Sequence, residues 1–164
     1  AYSNDFYEQV CGGKLDPVLR TLKTLAGAGI WYEIVVLVIP TMNDRFDDLR
    51  RLSDWVVSEL GPDVPLHFTR FHPDYKLMNL PATPPATLIK ARELALAAGC
   101  HFVYAGNLPG NEGENTFCPT CGKAVLKRYG HMTLSRALKS GRCEACNAVI
   151  PGLWDAPLTP APVP

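Results

Sequence analysis

No stretch of this sequence approaches the ~20 consecutive apolar residues needed to cross a bilayer. Its first residues, Ala1-Tyr-Ser-Asn-Asp, hold neither the basic nor the apolar segment of a secretory signal. Both lacks lead to the expectation of a soluble, cytoplasmic protein with no membrane partner. Net charge is missing too, because 16 basic residues balance 16 acidic ones, so no overall field draws the chain to nucleic acid or anionic lipid. Several catalytic signatures are also absent. There is no Walker loop, Gly-x-Ser-x-Gly elbow, His-Glu-x-x-His or Gly-x-Gly-x-x-Gly, and the nucleotide-phosphate, hydrolase, zinc-protease and dinucleotide chemistries they serve lose their usual carriers. No internal repeat occurs.

The placement of the six cysteines is informative. Four of the six cysteines form two hooks, Cys118-Pro-Thr-Cys121 and Cys143-Glu-Ala-Cys146, separated by 21 residues. A C-x2-C turn brings two thiolates to one ion from a single tight loop, and two such turns complete a tetrahedral shell, so the spacing predicts a structural zinc site. Gly122 suits the knuckle because it adopts positive φ at no steric cost. Two disulfides or free thiols are the alternatives. The remaining pair, Cys11 and Cys100, lie far apart and predict a reducing compartment rather than a disulfide framework. Cys11-Gly12-Gly13 sits at a helix entry, where a thiol pKa can fall, but both leftover cysteines read better as small buried hydrophobes.

The chain is 47% apolar and 20% charged, enough for one sizeable core and a small satellite. Ile30 to Ile39 is almost continuously apolar, with Glu33 its only charge, which predicts a parallel strand covered on both faces. Leu15 to Ala28 places Val18, Leu22, Leu25 and Ala26 at helical spacing ahead of it. After Pro40, Thr41-Met-Asn43-Asp44 offers N-cap candidates for a helix carrying Leu49, Leu52, Val56 and Leu60. Pro65 to Phe71 reads as a second strand, Thr83-Pro84 opens a third helix, and His101 to Ala105 is a third strand. Alternating helices and strands require a parallel sheet of α/β type with right-handed crossovers. Three parallel strands are too few to close a barrel, so an exposed sheet edge is expected. Gly106 to Asn115 reads as a loop leading into hairpin strands near 123–129 and 134–138.

Ligands of parallel α/β sheets bind beyond the carboxyl ends of the strands. Here those ends run into Asn43-Asp44, into His72-Pro-Asp74-Tyr75-Lys76, and into Gly106-Asn107-Leu-Pro-Gly110, three loops expected to project toward one rim. Singly, Asn43 and Asp44 read as helix caps, and His72, Asp74 and Tyr75 as an Asx turn. His67 lies inside an apolar strand, where its ring nitrogens need partners. A backbone-bonded core histidine is the plain reading, and a ligand contact is the sharper one.

The blocks Glu-Ile-Val-Val-Leu-Val-Ile-Pro-Thr-Met-Asn-Asp, His-Phe-Thr-Arg-Phe-His-Pro-Asp-Tyr-Lys, Val-Tyr-Ala-Gly-Asn-Leu-Pro-Gly and Cys-Pro-Thr-Cys-Gly follow one another in order. Through them, residues 1 to about 154 resemble the radical SAM enzymes of the AmmeMemoRadiSam system, related to pyruvate formate-lyase activating enzymes. The resemblance implies half of a partial (β/α) barrel with parallel strands, followed by a small zinc-ribbon module. It further implies reductive cleavage of S-adenosylmethionine to a 5′-deoxyadenosyl radical, using a four-iron four-sulfur cluster on a C-x3-C-x2-C loop. This sequence has no such loop and is similar to the C-terminal half of those enzymes, so catalysis is expected of a longer parent rather than of this chain alone. His67 becomes the leading S-adenosylmethionine contact, with Asn43, Asp44 and Asn107 on the same rim. The substrate is left open, with a protein among the candidates.

The expected domains are 1–110, the half barrel; 111–154, the zinc ribbon; and 155–164, a disordered proline-rich tail. The alternative function rests on charge. Between 118 and 146, Lys123, Lys127, Arg128, Arg136, Lys139 and Arg142 face only Glu144, although thiolate ligation of a divalent ion leaves an excess of about three charges. A ribbon that binds nucleic acid or an acidic protein, with the α/β part as scaffold, is the competing reading, though so small an excess is not by itself a nucleic-acid footprint.

Overall fold

A computed structural model describes residues 1–154; the expected tail at 155–164 lies outside the described residues. Helix α1 (Asn4–Phe6) continues as a π turn through Cys11 and is followed by α2 (Leu15–Gly27). Then come β1 (Ile34–Val38), α3 (Phe46–Leu60), β2 (Leu66–Arg70), α4 (Pro85–Ala98) and β3 (Val103–Gly106). The three strands form one parallel sheet in the order β1-β2-β3, as the alternation of periods requires. The remainder is a small antiparallel lobe: β4 (Thr116–Phe117), β5 (Ala124–Tyr129) and β6 (Met132–Arg136) in one sheet, β7 (Leu138–Lys139) and β8 (Arg142–Cys143) in another. None of the helices among the described residues is long and apolar enough to cross a membrane.

Strand parity decides which face is filled. Ile34, Val36 and Val38, Leu66 and Phe68, and Val103 and Ala105 point one way and are buried against Leu49, Leu52 and Val56 of α3 and Leu88, Ala91 and Ala95 of α4. The opposite face carries Val35 beside His67 beside Tyr104, and Leu37 beside Thr69 beside Gly106. At the β1 end this second face is bare: Val35 is 66% and Leu37 44% exposed. The expected cover on both faces of the first strand is therefore absent among the described residues, and β1 has a strand partner on one side only. The strand also starts later than its apolar run, because pairing begins where the Ile34 N–H meets the Pro65 carbonyl (2.9 Å), whereas Ile30 and Trp31 lie outside at 54% and 38% exposure.

Helix α3 likewise begins at Phe46, and neither Asn43 nor Asp44 caps it; Arg45 takes the cap position without a side-chain bond. Asn43 is buried, donating through Nδ2 to the Leu37 carbonyl (2.9 Å) and accepting through Oδ1 from the Ile39 N–H (2.6 Å). Asp44 accepts from the N–H of Thr41 (3.0 Å), whose φ is +67°. These residues lock the turn after β1 instead of opening the helix, because a buried turn has backbone groups to satisfy that water would otherwise take. Thr83 joins the same region. Its fully buried hydroxyl donates to the Val38 carbonyl (2.6 Å) and accepts from the Phe71 N–H (2.9 Å), tying the ends of β1 and β2 together.

The small lobe packs on the β3 side of the sheet. Phe102 shares a cluster with Cys118, Val125, Leu126, Leu138, Cys143 and Ile150, with Tyr104, Ala148 and Trp154 at its border.

Candidate functional site

The two C-x2-C hooks fold alike. In each, the first cysteine's carbonyl accepts from the N–H four residues on, Cys118 from Gly122 (2.9 Å) and Cys143 from Asn147 (2.8 Å). Both closing residues sit at positive φ, +72° for Gly122 and +60° for Asn147, the left-handed conformation that glycine and asparagine tolerate best. The hooks face one another. All six cysteines are free, and the four sulfurs of Cys118, Cys121, Cys143 and Cys146 lie within 4.8 Å of one another. A tetrahedral thiolate site with metal–sulfur bonds of about 2.3 Å has sulfur–sulfur edges of about 3.8 Å. Cys118 to Cys146 is 3.6 Å and Cys121 to Cys143 is 3.8 Å, so this donor set can hold a metal ion and its dimensions are compatible with zinc. Burial is the largest single influence and disfavours the Cys118 thiolate, but the N–H groups of Cys121 and Thr120 together with the Cys146 and Cys121 side chains outweigh it, and its pKa falls to about 7.

The sheet carries the second feature. On the face away from α3 and α4, a cavity of about 440 Å³ opens, lined by Glu33, His67, Thr69, Tyr104, Gly106 and Asn107 from the strands and their ends, and by Glu114, Arg128 and His131 from the adjoining lobe. That volume falls in the range of small-molecule sites. His67 Nε2 lies 2.6 Å from Glu33 Oε2, and its ring stacks on Tyr104 with centroids 4.7 Å apart. The hydrogen bond from His67 holds the Glu33 carboxyl below the usual glutamate range, against the opposing effect of burial. Burial raises the Tyr104 phenol, whose oxygen pairs with Thr116 Oγ1 at 2.9 Å. The ring nitrogen that the apolar strand left needing a partner is thus met by a carboxylate two residues upstream of β1's Val35, not by backbone.

The expected rim is divided. His67 and Asn107 line the sheet cavity, Asn107 also donating to the Arg70 carbonyl (3.3 Å). Asn43 lines a different hollow with α1, and its amide is spent inside the turn. Asp44 is occupied with Thr41. His72 and Tyr75 are exposed, and Asp74 accepts from the Tyr75 N–H (2.7 Å) in a local turn. The sequence reading does not single out Glu33, Tyr104 or Glu114 as site residues, and it places Arg128 only in the basic cluster of the ribbon. Parity would have found Glu33, which shares a face with Val35 and therefore with His67; Arg128 gives no such signal, since it comes from the other lobe.

The basic cluster also divides. Lys127, Arg136, Lys139 and Arg142 are exposed, whereas Arg128 turns inward, its guanidinium 5.8 Å from the centre of the Tyr104 ring.

No family model matches the sequence. A relative from Methanocaldococcus jannaschii, named uncharacterized protein MJ0808, is 47% identical over 148 residues, which make up 89% of this chain and 44% of the relative. The chain thus spans less than half the length of the relative it matches.

Proposed function

We propose that this chain is the C-terminal part of a cytoplasmic radical SAM enzyme, a (β/α) half barrel followed by a structural zinc ribbon. The single observation that carries the reading is the pocket over the bare sheet face, where Glu33 orients His67 beside Asn107 at the carboxyl ends of parallel strands. His67 stacked on Tyr104 provides a flat, half-buried aromatic surface suited to a nucleoside base, and the Glu33 carboxylate leaves the histidine's other nitrogen to face the ligand. The bare second face and unpaired edge of β1 suit a sheet that continues in a longer polypeptide.

The iron–sulfur cluster does not fit this chain: its only closely spaced cysteines are the two hooks of the ribbon, and no C-x3-C-x2-C occurs. In the longer parent proposed here, residues outside this chain would hold the cluster, which would supply the electron for reductive cleavage of S-adenosylmethionine. The residues present here bind and orient the nucleoside and shield it from water. The substrate class stays open, a protein included.

The test is to reconstitute a longer polypeptide containing this chain and a cluster-holding half with iron and sulfide, add S-adenosylmethionine and a strong reductant, and assay 5′-deoxyadenosine. Formation that is lost in His67→Ala supports the reading; none from the wild type counts against it. The competing nucleic-acid reading keeps the exposed Lys123, Lys127, Arg136, Lys139 and Arg142, and it requires binding that weakens steeply with salt.

A further inference from the structure

Arg128 stands in the second lobe by sequence and in the sheet cavity by position. Strand β5 leaves the first cysteine hook, and its ladder with β6 carries a bulge between Lys127 and Arg128, a device that re-aims side chains. The Arg128 N–H is fixed to Asn115 Oδ1 (2.8 Å). Its guanidinium donates through Nη1 to Thr116 Oγ1 (2.7 Å) and to the Glu114 carbonyl (3.2 Å). One nitrogen is thereby anchored and the group lies over the Tyr104 ring, while the other donors remain for a ligand.

The charges around it are unequal in their satisfaction. Among the described residues, Arg128 is the only guanidinium or ammonium group lining the cavity. The two carboxylates there have partners of their own: Glu33 is held by His67, and Glu114 accepts from the N–H groups of Gly110 (2.9 Å) and Gly130 (3.2 Å). Arg128 forms no ion pair with any carboxylate among the described residues. Arg128 is near enough to Glu33 to favour its carboxylate form, but no carboxylate meets the guanidinium directly, and a guanidinium matches carboxylate and phosphate oxygens best.

We propose that Arg128 is an anion-binding residue of the sheet cavity, holding a carboxylate or phosphate group of the substrate, and that the cysteine ribbon exists in part to deliver it. This rests on the reading of the cavity as a ligand site, and it adds a substrate feature: one anionic group, placed on the β3 side of the pocket. The ribbon is then a wall of the site.

The test is a nuclear magnetic resonance titration of the full, zinc-loaded 164-residue chain, labelled with nitrogen-15, against inorganic phosphate, acetate and neutral acetamide at constant ionic strength. The expected result is a saturable shift of the Arg128 Nε–Hε resonance with at least one anion and none with acetamide; the better anion identifies the substrate's group. Arg128→Gln should abolish the response of the neighbouring Tyr104 and Thr116 signals, Arg128→Lys should weaken it about tenfold by losing the forked geometry, and Arg136→Gln should leave it intact. A cobalt-substituted absorption spectrum unchanged in each variant confirms that the ribbon still folds. Shifts no larger at Arg128 than at exposed Arg136, or a response that persists in Arg128→Gln, would overturn the proposal. Titrating S-adenosylmethionine into the same samples separates the two ideas: a response at His67 without an anion response at Arg128 sinks this inference alone.

Discussion

Metal removal should unfold one lobe and spare the other. Apart from its two buried cysteines, the ribbon cluster contains only Phe102, Val125, Leu126, Leu138 and Ile150 as buried apolar side chains, and Phe102 belongs to the approach to β3. At about 1.5–3 kcal/mol per side chain, the four from the lobe itself contribute about 6–12 kcal/mol before any ordering cost is subtracted. A four-thiolate zinc site contributes an apparent ~10–16 kcal/mol near neutral pH. An ion bound there would therefore contribute about as much as the lobe's buried apolar side chains, or more. The α/β core draws on fourteen other buried residues that touch neither hook. Chelation should thus bring the amides of residues 124–143 to random-coil shifts in a nitrogen-15 correlation spectrum while those of β1, β2 and β3 keep their dispersion, and readdition of zinc should restore both sets. Because the ligands must be deprotonated, acidification should release the ion as well. Ribbon amides that stay dispersed after the metal is shown to be gone would refute the reasoning.

Three further outcomes follow from single residues. Thr83→Val keeps the shape but strips two buried partners, the Val38 carbonyl and the Phe71 N–H, and should lower stability by about 2–4 kcal/mol in urea melts; a change below a few tenths would show that the tie between β1 and β2 is dispensable. Glu33 has a lowered pKa when folded, so its contribution is complete above its unfolded pKa and disappears as the pH falls through the folded one; Glu33→Gln should flatten the stability profile in that acidic range, and an unchanged slope would contradict the pairing with His67. Lys139→Gln with Arg142→Gln should leave cavity ligands bound as before, whereas loss of binding would favour the basic-ribbon reading.

The fold was legible where one period dominated and obscure where long-range partners decided. The apolar run around Val36 and the spacing of Leu49, Leu52 and Val56 need no tertiary knowledge, and the hooks announce their own geometry. Asn43 and Asp44 were read as helix caps because their preference for helix starts is local, whereas the bonds that claim them reach back to Leu37, Ile39 and Thr41. Thr83 looks like a helix opener, yet it bridges the ends of β1 and β2, its hydroxyl reaching the Val38 carbonyl 45 residues upstream. Covering both faces of β1 was a fair inference from its composition, yet Val35 and Leu37 meet no cover among the described residues. Arg128 could not be assigned from charge alone, since a bulge separates its direction from that of Lys127.

The most direct test of the central claim is calorimetric titration of S-adenosylmethionine into the zinc-loaded chain and into His67→Ala and Glu33→Gln. Saturable binding to the wild type, weakened at least tenfold by His67→Ala and less by Glu33→Gln, is the predicted result. Binding that is equal in all three proteins, or absent from the wild type, would contradict the assignment of the sheet cavity as the nucleoside site.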